Sequence, residues 1–140
     1  MAGEVAITVT PKELERQAVE AFQGKSWRVF LALRQDTGLD ATSTIAAWEA
    51  EKVPTANGYV DVTGTVGTGV YNTGTAAYEL PALQVTFTAT GAGYSYDSII
   101  VQIDGATYPH SVGLFSADTP IFLAGGQSQS YSVLLTQDNG

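Results

Sequence analysis

A chain of 140 residues is expected to form one domain, and at that size it buries roughly two-thirds of its unfolded surface without needing a disulfide or a metal. Fourteen acidic against six basic residues give a formal charge of −8, which argues against nucleic acid as a partner, because that affinity comes from Lys and Arg displacing counterions. The absence of cysteine excludes thiol chemistry and Cys-bound zinc, and no apolar run is long enough to cross a membrane as a helix.

Val5, Ile7 and Val9 alternate with Glu4, Ala6 and Thr8, the period of a half-buried strand. Glu4 stands where an export leader would carry basic charge, so none is expected. Thr10, Pro11 and Glu13 then mark a helix start. Thr10 can cap free N–H groups, Pro11 sits where no N–H is needed, and Glu13 completes a capping box. Leu14, Ala18, Ala21 and Phe22 follow at helical spacing, and Gly24 can end the helix in the left-handed region. Trp27, Val29, Leu31 and Leu33 alternate with Arg28, Phe30, Ala32 and Arg34, which predicts a strand. Residues 42–51 predict a second short helix, capped by Ser43 or Thr44 and carrying Ile45 and Trp48 on one face, closed by Pro54.

From Asn57-Gly58 onward the pattern is β throughout. Val60, Val62 and Val66 share a face interrupted by Gly64, and Gly67, Gly69 and Gly74 mark loops or bulges. Leu83, Val85, Phe87 and Ala89 alternate with Gln84, Thr86, Thr88 and Thr90, the cleanest amphipathic strand of the chain. A turn at residues 91–93 leads to one strand over residues 94–103. Asp104-Gly105 fits a type I′ hairpin turn that would pair Ile103 with Ala106 and Val101 with Tyr108. Strands at 112–115 and 120–123, a Gly125-Gly126-Gln127 turn and a last strand with Tyr131, Val133 and Leu135 complete the chain. Short strands about ten residues apart, with turn residues between them, predict a mainly β, antiparallel sandwich or jelly roll of about eight strands with two helices in the N-terminal third. Residues 1–52 hold all six basic residues; residues 53–140 hold no Lys or Arg and six acids. Neither portion has enough core alone, so residues 1–140 read as a single domain.

Few residues carry the pattern of an active site. His110 is the one histidine; with Ser111 beside it, sequence neighbours rarely have the facing geometry a nucleophile and base require, and no third group is evident, so a loop residue after a strand is the expectation. Asp97, Asp104 and Asp118 could offer oxygens to calcium, but the spacing of an EF-hand loop is absent and acids at strand ends are ordinarily solvated. Gly64, Gly67, Gly69 and Gly74 lack the following helix and Lys of a phosphate loop. No catalytic residue, cofactor or metal is therefore expected. Among the aromatics, Trp27 and Trp48 fit core positions. Tyr94, Tyr96 and Tyr108 are the candidates for exposure, either stacking on sugar rings or lining a protein interface. Lys12, Arg16, Arg28 and Arg34 are the candidates for contacts with acidic partner surfaces.

One succession of segments has a wider likeness. It comprises the stretch Ile45 to Tyr59, with Glu51-Lys52-Val53-Pro54-Thr55-Ala56-Asn57-Gly58-Tyr59; Tyr78-Glu79-Leu80-Pro81; Val85-Thr86-Phe87-Thr88-Ala89; Tyr96-Asp97-Ser98; and Pro120-Ile121-Phe122-Leu123-Ala124-Gly125-Gly126-Gln127. It resembles small virion structural proteins of tailed bacteriophages, cyanophages among them, over most of residues 40–140. The resemblance implies a non-enzymatic part of the particle, on the tail or as a head decoration, with no catalytic residues to carry over. Its partners would be other virion proteins and further copies of itself. A carbohydrate-binding module for host-surface recognition is the alternative expectation.

Overall fold

The computed structural model describes residues 10–135, so the strand expected at residues 5–9 lies outside the described residues. Thr10 Oγ1 accepts from the Glu13 amide at 3.2 Å and opens helix α1 (Pro11–Ala21), with Pro11 in the first turn. Ala18 and Phe22 are buried and Leu14 and Ala21 half-buried, the stripe their spacing predicts, and Gly24 takes a φ of +78° as the chain leaves the helix. Strand β1 (Ser26–Ala32) follows, then helix α2 (Ile45–Ala50), capped by Thr44 and burying Ile45 and Trp48.

The remaining elements are β2 (Val62–Thr65), β3 (Val70–Asn72), β4 (Ala77–Glu79), β5 (Leu83–Thr88), β6 (Tyr94–Tyr96), β7 (Ser98–Ile103), β8 (Ser111–Leu114), β9 (Ile121–Leu123) and β10 (Ser128–Val133). All pairings are antiparallel. A four-stranded sheet runs β2-β1-β7-β8, and three two-stranded sheets pair β5 with β10, β3 with β4 and β6 with β9. The chain is thus mainly β with two helices.

The centre of the large sheet explains its composition. In β1, Trp27, Val29, Phe30, Leu31 and Ala32 are all buried, and in β7 every residue except Gln102 is buried. A strand covered on both faces reads as a near-continuous apolar run, and Ser98-Ile99-Ile100-Val101 does so. Trp27 lies opposite Gly64 of β2, where a Cβ would come within 2.6 Å of the indole, so glycine interrupts the valine pattern to make room for the ring. One core cluster draws on both portions of the chain, from Phe22, Trp27 and Trp48 to Phe87, Tyr96 and Leu123.

Four details differ from the pattern expected of the sequence. Ten strands occupy the described residues rather than about eight: the glycine-rich stretch after β2 contains the hairpin β3–β4, and the strand expected over residues 94–103 is two. It breaks at Asp97, with β6 and β7 in different sheets. Val60 is exposed and precedes β2 instead of sharing its face with Val62 and Val66. Asp104 and Gly105 do take the positive φ of a type I′ turn, +54° and +66°, yet Val101 pairs with Ser111 rather than Tyr108. Pro109 has no N–H for the ladder, and Thr107 O is taken by the Ile45 amide at 2.8 Å, so the chain detours until His110 N reaches Val101 O at 2.7 Å. Finally, α2 ends before Pro54, because Lys52 already bridges to Ala32 and Val53 N donates to Leu31 O.

Two glycines with the same backbone conformation separate conformational strain from steric fit. Gly24 and Gly93 have φ of +78° and +76°; a Cβ on Gly24 meets nothing within 4 Å, whereas one on Gly93 would lie 2.3 Å from Leu123 O. Gly24→Ala should cost about 1 kcal/mol and Gly93→Ala about 3 kcal/mol or more, read from urea unfolding midpoints. Equal losses would refute a packing role for Gly93 against the β9 backbone.

Candidate functional site

Every Lys and Arg of this chain has a carboxylate partner within it. On α1, Lys12 pairs with Glu15 at 3.3 Å and Arg16 with Glu13 and Glu20. Lys25 reaches Asp104 at 3.7 Å, Arg28 joins Glu49 and Asp61, Lys52 joins Asp61, and Arg34 joins Asp97. Arg28 and Arg34, expected to meet partner surfaces, are turned to their own chain. The Arg28 Nε also donates to Gln102 at 3.1 Å and its guanidinium lies 4.7 Å over the Phe30 ring. Lys12 and Arg16 do stand exposed, on the outer face of α1.

Asp61 organises the first of two buried polar clusters. Its Oδ1 accepts from Tyr59 OH at 2.8 Å, and that same hydroxyl accepts from Leu31 N at 2.8 Å, tying residue 59 to β1. Burial pushes the Tyr59 phenol well up, and the neighbouring Asp61 carboxylate adds to the effect. The second cluster sits where β6 passes into β7. Asp97 is fully buried; its Oδ1 accepts from Arg34 N and Ser98 Oγ, both at 2.8 Å, while Arg34 Nη1 and Nη2 donate to Asp97 O at 2.9 Å and Phe115 O at 2.6 Å. A strand-end acid was expected in solvent; this one is a cross-link, because the chain changes sheets there and its backbone groups need partners. The other two acids of the calcium expectation are elsewhere, Asp104 beside Lys25 and Asp118 exposed in the loop before β9. Among the described residues no group of three or more His, Asp or Glu could hold a metal, and no helix is long and apolar enough to cross a membrane.

The aromatic candidates divide. Tyr108 is 59% exposed, whereas Tyr94 and Tyr96 are core residues. Tyr94 OH donates to Thr88 O at 3.0 Å and its ring meets the Tyr59 ring edge-on at 5.4 Å. Tyr96 is sealed by Phe115 and Tyr131, with its hydroxyl bonded to that of Tyr131. The expected exposure fails because residues 91–93 carry the chain from β5 into a different sheet, where β6 pairs with β9 and both tyrosines turn into the core. His110 lies half-buried, with Nδ1 3.3 Å from Ser111 Oγ and the Phe22 ring edge-on at 5.1 Å; burial lowers its pKa.

What the structure adds is a groove. Ile99 and Val101 of β7 line it together with Ser111, Val112 and Gly113 of β8 and Tyr131, Val133 and Leu134 at the end of β10, around a volume of about 280 Å³. β8 is the last strand of the large sheet and β10 pairs only with β5, so among the described residues two strand edges without partners flank one apolar channel. Leu114 and Leu134 are exposed beside it. Sequence reading misses the groove, since alternation marks Ile99, Val101, Tyr131 and Val133 as inward without showing that the two sheets leave a gap between them. Chemically, such a channel takes an extended apolar segment, through backbone hydrogen bonds on its rims and side-chain burial on its floor.

Compared with known proteins, the chain matches no family model, and no curated protein or solved structure matches it either. The phage resemblance therefore rests on the segments quoted from the sequence.

Removing the Arg34 guanidinium leaves a buried carboxylate uncompensated, so Arg34→Met should cost about 3 kcal/mol in urea unfolding, and adding Asp97→Asn should recover part of it. A neutral Arg34→Met would show the cluster to be dispensable. His110 makes stability depend on pH. With its folded pKa depressed, the unfolded chain takes up the proton first, so stability present above about pH 6.5 is lost as pH falls. Wild type should lose more stability than His110→Phe between neutral and mildly acidic pH; parallel losses would dismiss His110 as the source.

Proposed function

We propose that this protein is a non-enzymatic building block, a subunit that joins neighbouring chains through unpaired β edges in a larger particle. The virion of a tailed bacteriophage is the setting that the sequence resemblance suggests. In this reading the four-stranded sheet and the β5–β10 pair form the two layers of an incomplete sandwich, and a neighbouring subunit supplies what is missing between their open edges. The observation that carries the proposal is the apolar groove between β8 and β10.

Three further features favour it. Proteins that stay monomeric guard their strand edges, most often with lysine, and residues 53–140 contain no Lys or Arg. Phe122, Leu134, Leu114 and Val70 are exposed on strands or at their ends, where a neighbouring chain would bury them. The outer face of β5–β10 is a ladder of neutral groups, Gln84 to Ser132, Thr86 to Ser130 and Thr88 to Ser128 at 3.0, 2.8 and 2.8 Å. Ordering short hydroxyl side chains at a contact loses little entropy, and here they are already ordered by one another. The glycan-binding alternative is the weaker reading, because it needs Tyr94 and Tyr96 at the surface.

Size-exclusion chromatography with light scattering tests the proposal on the full chain. Oligomers whose mass rises with concentration are expected, and Leu134→Asp should weaken association at least about tenfold, the effect of losing one anchor side chain. A chain that remains monomeric at every concentration overturns it.

A further inference from the structure

Among the described residues the groove has unpaired backbone on both rims and an apolar floor, the outline that one more strand would fill. A strand that fills it needs apolar side chains at every second position and small or polar ones between, because successive side chains point to opposite faces. The described strands already have partners; the sequence holds one more stretch of that pattern, residues 4–9, in which Val5, Ile7 and Val9 alternate with Glu4, Ala6 and Thr8. Six extended residues span about 20 Å, the length of β10, which also has six residues. We propose that residues 4–9 of one copy occupy the β8–β10 groove of the next, so that copies join head to tail by strand donation. This deepens the building-block reading and rests on it.

The local geometry favours a neighbour's groove over the chain's own. Helix α1 lies against β4 and is fastened at its C-terminal end, where Phe22 packs on His110 and Gln23 Oε1 accepts from Gly69 N at 2.9 Å and Tyr78 OH at 2.8 Å. The groove begins beside that end, at Ser111. Thr10 stands at the other end of an 11-residue helix, about 16 Å away at 1.5 Å per residue. To return, the chain would have to reverse immediately before Thr10. The residues there are Ile7, Thr8, Val9 and Thr10, four β-branched side chains that favour extended backbone. Thr10 itself is extended, φ −71° and ψ 155°, as the residue before a proline prefers to be. The propensity of these residues favours a continuation away from α1 over an immediate reversal. Because donor strand and acceptor groove are different surfaces, the contact is heterologous and propagates until a ring closes or a filament grows.

The acceptor side offers a clean block. Gly113 faces its register partner Ile99, its φ is unstrained for other residues, and a Cβ there meets nothing closer than 3.7 Å, so Gly113→Val fits the strand while narrowing the groove. The donor side is blocked by Ile7→Asp, outside the described core. Each variant alone should run as a monomer in light scattering where the wild type is oligomeric, and should keep a cooperative thermal transition whose midpoint no longer depends on concentration. Mixed in equal amounts they should form a one-to-one dimer and stop there, since Ile7→Asp keeps a usable groove and Gly113→Val a usable strand. Ile7→Asp that assembles as the wild type does, or a mixture that stays monomeric, overturns strand donation while leaving assembly by other contacts in place. A monomeric wild type overturns both.

Discussion

The constraint on which the fold depends is that β1 and β7 are covered on both faces. Five of their six register pairs, from Trp27 opposite Ile103 to Ala32 opposite Ser98, are buried, and only Arg28 opposite Gln102 is partly exposed. Every N–H and C=O there must find a protein partner, since an orphaned backbone group inside costs on the order of 1–3 kcal/mol. The ladder satisfies most of them, and the difficulty is concentrated where the chain enters or leaves it. At one end Asp104 N donates to Ser26 O, extending the β1–β7 pairing one step beyond Ile103. At the other, Asp97 N donates to Ala32 O, Asp97 O accepts from Phe115 N, and the carboxylate reaches back for the Arg34 amide. A charged group is tolerated in that interior position only because a guanidinium stands beside it.

The same economy of charge shapes the exterior. All six cations are matched internally, several of them pulling separate segments together: Lys52 and Arg28 hold Asp61 to the large sheet, and Arg34 holds the β6–β7 junction to the end of β8. What is left facing solvent over the β portion is hydroxyl, amide, scattered apolar side chains and a few acids. With fourteen acids against six cations the chain keeps a net negative field, and no cation of residues 53–140 offsets it. In the proposed reading, contacts come from shape and backbone pairing at the open edges rather than from a basic patch.

Much of the local structure was legible in the chain. Thr10-Pro11 opens a helix wherever it precedes an apolar stripe, Thr44 three residues before an exposed amide does the same for α2, and the Leu83–Thr88 alternation admits one reading. The break at Asp97 left no such trace: Tyr94, Tyr96, Ile99, Ile100, Val101 and Ile103 place apolar side chains at both even and odd positions, so the run reads as one strand covered on both faces. Likewise, nothing near Tyr94 or Tyr96 distinguishes a tyrosine whose hydroxyl meets water from one whose hydroxyl meets Thr88 O or Tyr131.

By itself, then, the order of residues determined where α1 begins, that Asp104-Gly105 takes positive φ, and which face of Leu83–Thr88 turns inward, since each of these is settled by neighbours a few positions away. Only the tertiary structure decided that β6 and β7 part into different sheets, that Arg28 and Arg34 turn inward, and that β8 and β10 leave a channel between them. Those outcomes depend on which distant segments bury one another. A two-residue period states that one side of a strand is apolar, but not what lies against it.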